Sequence, residues 1–211
     1  MVFEYSCFVS FRHARKPGGD KFITQFHEAL SIEISHFLEQ EVYVDWERIK
    51  GGSFYNESLA KALCKSVCMV MIFTPTYFSE EHSFCAREYR SMEVLEQQRL
   101  KLLSSQHRDH GCILPVILRG SKFFPAEIRE QRHFYDFTTW LDGGKSIAKD
   151  GRFNRTIRDI AERVHQLHQA FEHLPQHPCD QCDGFQLQTK EQVMELIDRV
   201  KGKPNLFPGR L

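Results

Sequence analysis

The pair of residues in this sequence best suited to chemistry is an aromatic side chain followed four positions later by a glutamate. Phe84 and Glu88 lie in the segment SFCAREY, which we predict to be helical, and an i, i+4 spacing places both side chains on one helix face. A carboxylate beside an aromatic wall that excludes water can stabilise positive charge developing on a neighbouring group. Spacing alone favours the plainer interpretation, because Glu88 also lies in a run of charged residues typical of a solvated helix face.

Apolar runs and helical periodicities alternate along the chain. The strands and helices that they predict must position Phe84 and Glu88. Strands are predicted at 3–11, 42–44, 67–74 and 112–118, with a possible fifth at 133–137. Helices are predicted at 21–39, 54–66, from Ser79 or Ser83 to about 104, and 153–171. Pro115 suggests an edge or bulge position for the fourth strand, because proline cannot donate to a sheet ladder.

Strands that alternate with helices predict a parallel sheet covered by helices on both faces, a three-layer α/β sandwich. In such sheets ligands bind beyond the carboxyl ends of the strands. The first two predicted strands end at Phe11-Arg12 and at Asp45-Trp46. We therefore expect these four residues to lie near one another and near any ligand.

Composition indicates a globular chain and gives no reason to expect nucleic acid or a membrane as partner. Lys plus Arg and Asp plus Glu both number 28, so the net charge is zero and there is no basic surplus to favour nucleic acid or an anionic membrane. The apolar run at 68–73 is far short of the roughly 20 residues that span a bilayer. No secretory leader pattern is present at the N-terminus, so we expect a cytoplasmic protein.

The seven cysteines form an odd, scattered set, which argues against a disulfide framework. Near the end of the chain, four possible zinc ligands fall within ten residues: His173, His177, Cys179 and Cys182. Structural zinc sites use two ligand pairs separated by a longer loop, often about 12 residues. Here the pairs almost adjoin, so a reduced tail is the preferred interpretation and zinc the alternative. Residues 1–173 are predicted to form one domain and 174–211 an appendage with a short helix at about 189–201.

Three segments resemble the Toll/interleukin receptor (TIR) domain family over roughly residues 3–171. EYSCFVSFRH resembles the first-strand box, YVDWERIKGGSF the strand and loop that TIR domains use for assembly, and TPTYFSEEHSFCAREY the third box of plant and bacterial members. Ser6, Phe84 and Tyr89 depart from the usual Asp, Trp and Leu. The resemblance implies a flavodoxin-like fold with a central parallel five-stranded sheet, in a free-standing bacterial NAD-cleaving type of protein.

The activity that the resemblance implies is cleavage of the nicotinamide–ribose bond of NAD, by an NAD nucleosidase or an ADP-ribosyl cyclase or transferase. Glu88 matches the family's catalytic glutamate, and NAD is a substrate, with no cofactor expected. Trp46 would stack on a ring of NAD and Arg12 would pair with its pyrophosphate. The remaining residues expected to contact substrate are Phe11, Asp45, Phe84 and Cys85.

The resemblance further implies a role in immune, antiphage signalling or NAD depletion, and self-association through TIR–TIR contacts that switches activity on. A separate effector protein responding to the product is a possible partner. The main alternative is a non-catalytic TIR scaffold that only binds other TIR domains. A second is an enzyme like the nucleoside deoxyribosyltransferases, which share the layered fold and a single glutamate.

Overall fold

A five-stranded parallel sheet forms the centre of the protein in this computed structural model, which describes residues 2–13, 19–45, 53–103, 111–140 and 147–201. The strands are β1 (Tyr5–Phe11), β2 (Glu41–Val44), β3 (Ser66–Phe73), β4 (Ile113–Ile117) and β5 (Tyr135–Asp136). Their order in the sheet is β2-β1-β3-β4-β5, with every pairing parallel. This is the flavodoxin-like order, so the predicted fold class is confirmed.

Six α-helices accompany the strands within the described ranges. They are α1 (Gly19–Ser35), α2 (Ser53–Cys64), α3 (Phe84–Leu102), α4 (Ala126–Gln131), α5 (Gly151–Glu172) and α6 (Lys190–Lys201). Helix α1 packs against α5, whereas α2 and α6 pack against α3. The sheet therefore lies between layers of helices. No helix in the described part of the chain is long and apolar enough to cross a membrane.

The central strands are buried along almost their whole length, because helices cover both faces of the sheet. Every residue of β3 is buried, and so is every residue of β1 after Tyr5. These are the strands that the sequence marks as nearly continuous apolar runs. Within that apolar setting, β1 carries two fully buried serines, Ser6 and Ser10, whose hydroxyls need hydrogen-bond partners.

The position of Pro115 differs from the prediction, because β4 lies between β3 and β5 and is not an edge strand. Pro115 pairs with Met71 of β3. On the other side, β5 pairs only with Val116 and Ile117. The ladder with β5 thus begins just after the proline, so the missing N–H removes no bond there.

The helix limits agree with most of the local start and stop signals in the sequence. Helix α3 begins directly after Ser83, one of the two predicted start positions, although the Ser83 side chain makes no capping bond. Helix α5 begins two residues before the predicted 153, because Asp150 caps it by accepting hydrogen bonds from the amides of Arg152 at 2.8 Å and Phe153 at 3.1 Å. Helix α1 ends at Ser35 rather than 39.

Candidate functional site

The carboxyl ends of β1 and β3 meet the first turns of α3, and this junction holds Glu88. The side chain of Glu88 has no exposed surface, and neither has Ser10 near the end of β1 nor Tyr77 in the turn after β3. In a doubly wound parallel sheet this edge is where ligands bind. Glu88 thus lies at this edge of the sheet, with its carboxylate inside the protein.

A short chain of hydrogen bonds fixes the carboxylate. The Ser10 hydroxyl donates to Oε2 of Glu88 over 2.5 Å, and the same Ser10 oxygen lies 2.6 Å from the Tyr77 hydroxyl. Since serine has one hydrogen to give and a carboxylate only accepts, the Tyr77 hydroxyl donates to Ser10. Charge-assisted bonds of this length are among the stronger ones in proteins. The arrangement holds the Glu88 carboxylate in one orientation.

Phe84 does not share the burial of Glu88, although the two lie one turn apart. Its ring is 37% exposed, against 0% for Glu88, and the Arg87 guanidinium lies 5.3 Å from the ring centroid. The aromatic residue that belongs to the carboxylate's hydrogen-bond chain is Tyr77. Tyr77 reaches the carboxylate only through the Ser10 hydroxyl, so an aromatic wall formed by Phe84 beside the carboxylate stays a prediction.

Cys85 and Phe11 join α3 to the end of β1. The Cys85 thiol is fully buried and donates to the carbonyl oxygen of Phe11 at 3.3 Å. The Phe11 ring is 2% exposed and lies 4.5 Å from the ring of His13. Both residues thus lie at the predicted edge of the sheet, but they fill its interior beneath the surface that a ligand would meet.

The ends of β1 and β2 also come together, as expected from the parallel topology. Imidazole Nε2 of His13 donates to the backbone carbonyl of Asp45 at 3.3 Å. The Asp45 side chain is nearly buried, at 8% exposed, while Arg12 is half-buried. Trp46, predicted to stack on a ring of the ligand, lies outside the described residues.

The segment after α5 is attached directly to the helix that carries Glu88. Nε of Arg87 donates to the carbonyl of Gln188 at 2.6 Å, and the Gln188 amide donates to the Ser91 hydroxyl at 2.8 Å. These two contacts flank Glu88 on α3. Burial lowers the pKa of Arg87, and the negative charges of Glu88 and Glu191 oppose that shift.

A disulfide adds a covalent link, which corrects the expectation that the cysteines stay reduced. Cys64 at the end of α2 is bonded to Cys182, with a Cα–Cα distance of 5.6 Å. The remaining five cysteines are free and buried. The sequence pattern missed this pair because 118 positions separate its members and nothing local marks them as neighbours.

The four possible zinc ligands of the tail are not gathered into one site. Cys182 is held in the disulfide, the Cys179 thiol donates to the carbonyl of Cys64 at 3.8 Å, and His177 Nδ1 accepts the Cys179 amide at 3.1 Å. His173 is exposed at the end of α5. Within the described ranges, no group of three or more His, Cys, Asp or Glu side chains is arranged to hold a metal ion.

Sequence reasoning missed Ser10 and Tyr77 as parts of the site. A signal was present for Ser10, because a serine inside a two-sided buried strand must find a hydrogen-bond partner. Tyr77 falls within the third box, but the sequence pattern alone assigns it no role. Gln188 acts through its backbone, so its residue type carries no signal.

Fold and site together define a flavodoxin-like α/β domain with a buried, hydrogen-bonded carboxylate at the ligand-binding edge of its sheet. No family model matches the chain, and no curated protein matches it significantly. Among solved structures it is similar to the TIR domains of the activated Roq1 resistosome directly recognizing the pathogen effector XopQ, with 16% identity and a TM-score of 0.37, over 96% of this chain and 99% of that chain. Because this likeness is weak, the fold class rests on the strand order β2-β1-β3-β4-β5.

Proposed function

We propose that the protein cleaves the nicotinamide–ribose bond of NAD in the manner of TIR enzymes, with Glu88 as the catalytic carboxylate. The observation that supports this most is the Glu88 carboxylate, fixed by Ser10 at the carboxyl edge of a parallel sheet. The choice of NAD as substrate comes from the resemblance of three segments to the TIR boxes. The third of these boxes contains both Tyr77 and Glu88.

The chemistry requires little beyond a positioned negative charge. Nicotinamide is cationic in NAD and leaves as a neutral molecule when the bond from its ring nitrogen to ribose C1′ breaks with both electrons going to the nitrogen. The ribose becomes oxocarbenium-like, as in glycoside hydrolysis. A carboxylate beside it stabilises the positive charge and holds the ribose hydroxyls. Water then attacks C1′ and releases a proton, giving ADP-ribose, or the adenine ring or a ribose hydroxyl attacks and gives a cyclic or conjugated product.

Burial of Glu88 has two consequences for such a reaction. A carboxylate away from water interacts more strongly with a developing charge, because the local dielectric constant is low. The same burial means that the ribose reaches Glu88 only after the surrounding segments rearrange. Activity is therefore expected to depend on self-association through TIR–TIR contacts, which would reshape this edge of the sheet.

The scaffold function is the second candidate, and the same burial favours it. In a scaffold, the Glu88 carboxylate, which has no exposed surface and accepts from Ser10, would serve to tie α3 to β1 and β3. On this view the chain binds copies of itself or other TIR domains and leaves NAD untouched. Separate measurements of assembly and of NAD turnover distinguish the two candidates.

The test is release of nicotinamide from NAD by purified protein, followed over a range of protein concentrations. Glu88→Gln should abolish release while folding and assembly persist, because glutamine keeps the shape and an acceptor for Ser10 but removes the charge. Glu93→Gln, on the same helix but engaged with Arg90 at 3.0 Å, is the matched control and should retain activity. Release by the Glu88→Gln protein, or none by assembled wild type, would reject the proposal.

Two further measurements define the proposed role. Mass spectrometry of the product would separate NAD depletion, which yields ADP-ribose, from production of a cyclic or conjugated signal for a separate effector in antiphage defence. Cleavage of free nucleosides instead of NAD would place the protein with enzymes like the nucleoside deoxyribosyltransferases.

A further inference from the structure

A concavity lies at the opposite edge of the sheet from Glu88, where β4 and β5 begin. Its volume is about 530 Å³, within the range of small-molecule sites. We call it the β4–β5 pocket. The lining residues on which its chemistry depends are Glu96, Leu100, Ile113, Arg132, Tyr135 and Arg163.

One of the two arginines in the β4–β5 pocket is already neutralised. Arg132 donates through Nη1 to Oε1 of Glu96 at 2.7 Å and through Nη2 to Oε2 at 2.6 Å. Gly111 makes room for this ion pair, since a Cβ there would lie 2.6 Å from Glu96 Oε1 and 2.7 Å from Arg132 Nη1. A two-bond pair of this kind satisfies both charges. Arg132 therefore brings little net charge to the pocket.

Arg163 is different, because within the described residues no carboxylate lies within ion-pair distance of it. Its Nη1 donates to the neutral amide oxygen of Gln166 at 3.1 Å. Besides Glu96, which is paired with Arg132, the acidic groups near it are the Tyr135 phenol, which lines the pocket, and the Cys68 and Cys112 thiols, which are fully buried and do not line it. Burial raises the pKa of each of these three groups, that of Cys112 to about 12, so all are uncharged at neutral pH.

Arg163 is thus half-buried, and no carboxylate among the described residues forms an ion pair with its guanidinium. Burial lowers the pKa of Arg163, because partial removal from water disfavours the charged form. Arginine stays charged in proteins, and four of its five N–H donors remain beyond the bond to Gln166. A negatively charged group in the pocket would form an ion pair with Arg163 and accept hydrogen bonds from these donors.

We propose that the β4–β5 pocket binds an organic anion of about nucleotide size, with its phosphate or carboxylate on Arg163 and its apolar part along Leu100 and Tyr135. Arg163 presents the forked donors that suit such oxygens. The half-buried Tyr135 and Leu100 offer an apolar and aromatic surface beside it. This site is distinct from the edge that carries Glu88 and does not depend on the proposed reaction with NAD.

Titration of the full chain with AMP, adenosine and inorganic phosphate tests the proposal. AMP should bind more tightly than either fragment, because it carries both the charge and the ring. Arg163→Gln should weaken AMP binding at least tenfold, about 1.4 kcal/mol, and Arg163→Lys should weaken it less. Arg155→Gln, exposed on the same helix, is the matched control and should leave affinity unchanged.

Amide chemical shifts locate the binding site and separate it from the Glu88 edge. Saturable shifts at Gly111, Ile113 and Tyr135 support the proposal. It is overturned by shifts confined to Ser10 and its neighbours, by equal affinity in the folded Arg163→Gln protein, by adenosine binding as well as AMP, or by no saturable AMP binding up to about 1 mM. Glu88→Gln should bind AMP normally, so loss of NAD cleavage leaves this test unaffected.

Discussion

Replacing Ser10 with alanine removes the hydroxyl that joins the Tyr77 phenol to the Glu88 carboxylate. A hydrogen bond to a charged group contributes about 1.5–3 kcal/mol, and one between neutral groups about 0.5–1.5 kcal/mol. Loss of both predicts a fall of about 2–4.5 kcal/mol in the free energy of unfolding. That is a large share of the stability of an ordinary domain, about 5–15 kcal/mol.

The measurement is urea unfolding followed by circular dichroism, with Ser6→Ala as control. Ser6 lies on the same strand, is equally buried, and donates to the neutral carbonyl of Glu41 at 3.0 Å. Its replacement should cost only about 0.5–1.5 kcal/mol. If Ser10→Ala and Ser6→Ala cost the same, the Ser10 hydroxyl has no special bond to a charge.

A double-mutant cycle isolates the contact between Ser10 and Glu88. Glu88→Gln turns the charged bond into a neutral one, so the two changes together should be less damaging than their sum by about 1–1.5 kcal/mol. The same cycle with Ser6→Ala should be additive. Additivity of Ser10→Ala and Glu88→Gln within about 0.5 kcal/mol would refute the charged character of this hydrogen bond.

Three further predictions concern stability. Cys64→Ser removes the link to Cys182 and should lower the free energy of unfolding by about 2–5 kcal/mol. In urea unfolding, a reducing agent should destabilise the wild type by the same amount and leave the variant unchanged. Identical curves for oxidised and reduced wild type would contradict this. Arg99→Met removes three hydrogen bonds to buried carbonyls, of 2.6 to 3.0 Å, and should lower the free energy of unfolding by about 3 kcal/mol or more. A change below about 0.5 kcal/mol would show that those carbonyls need no donor. Burial lowers the pKa of His168 and His177 from 6.5, so the unfolded chain binds more protons than the folded one and the free energy of unfolding should fall as pH drops below about 6.5. The double variant His168→Gln/His177→Gln should flatten this part of the plot of stability against pH. An unchanged slope would show that these two histidines do not cause the fall.

Much of the fold could be predicted because its signals are local. The apolar run of β3 and the periodicity of α5 each lie within a single element, and both elements were found within a few residues of their ends. Parallel pairing then follows from the alternation of strands and helices. Pro115 was misplaced because the length of β5, which decides whether the proline interrupts a ladder, is not visible in β4 itself.

The candidate site could be predicted only in part, because its contacts join distant positions. Glu88 stands out through its box, but the hydroxyl that holds it is 78 residues away, and Tyr77 is 67 residues from that hydroxyl. The segment after α5 binds α3 through the backbone carbonyl and amide of Gln188, and almost any residue type provides those groups. Packing of this kind depends on the tertiary fold, and no local periodicity reports it.

The most direct measurement of the central claim is a structure of the assembled Glu88→Gln protein with NAD bound, since the inactive variant should keep the substrate intact. The side-chain oxygen or nitrogen of residue 88 should lie within hydrogen-bond distance, about 2.6–3.2 Å, of a ribose hydroxyl on the nicotinamide side, with Ser10 still in contact behind it. NAD bound elsewhere, with residue 88 enclosed as it is in the single chain, would contradict a catalytic role for this carboxylate.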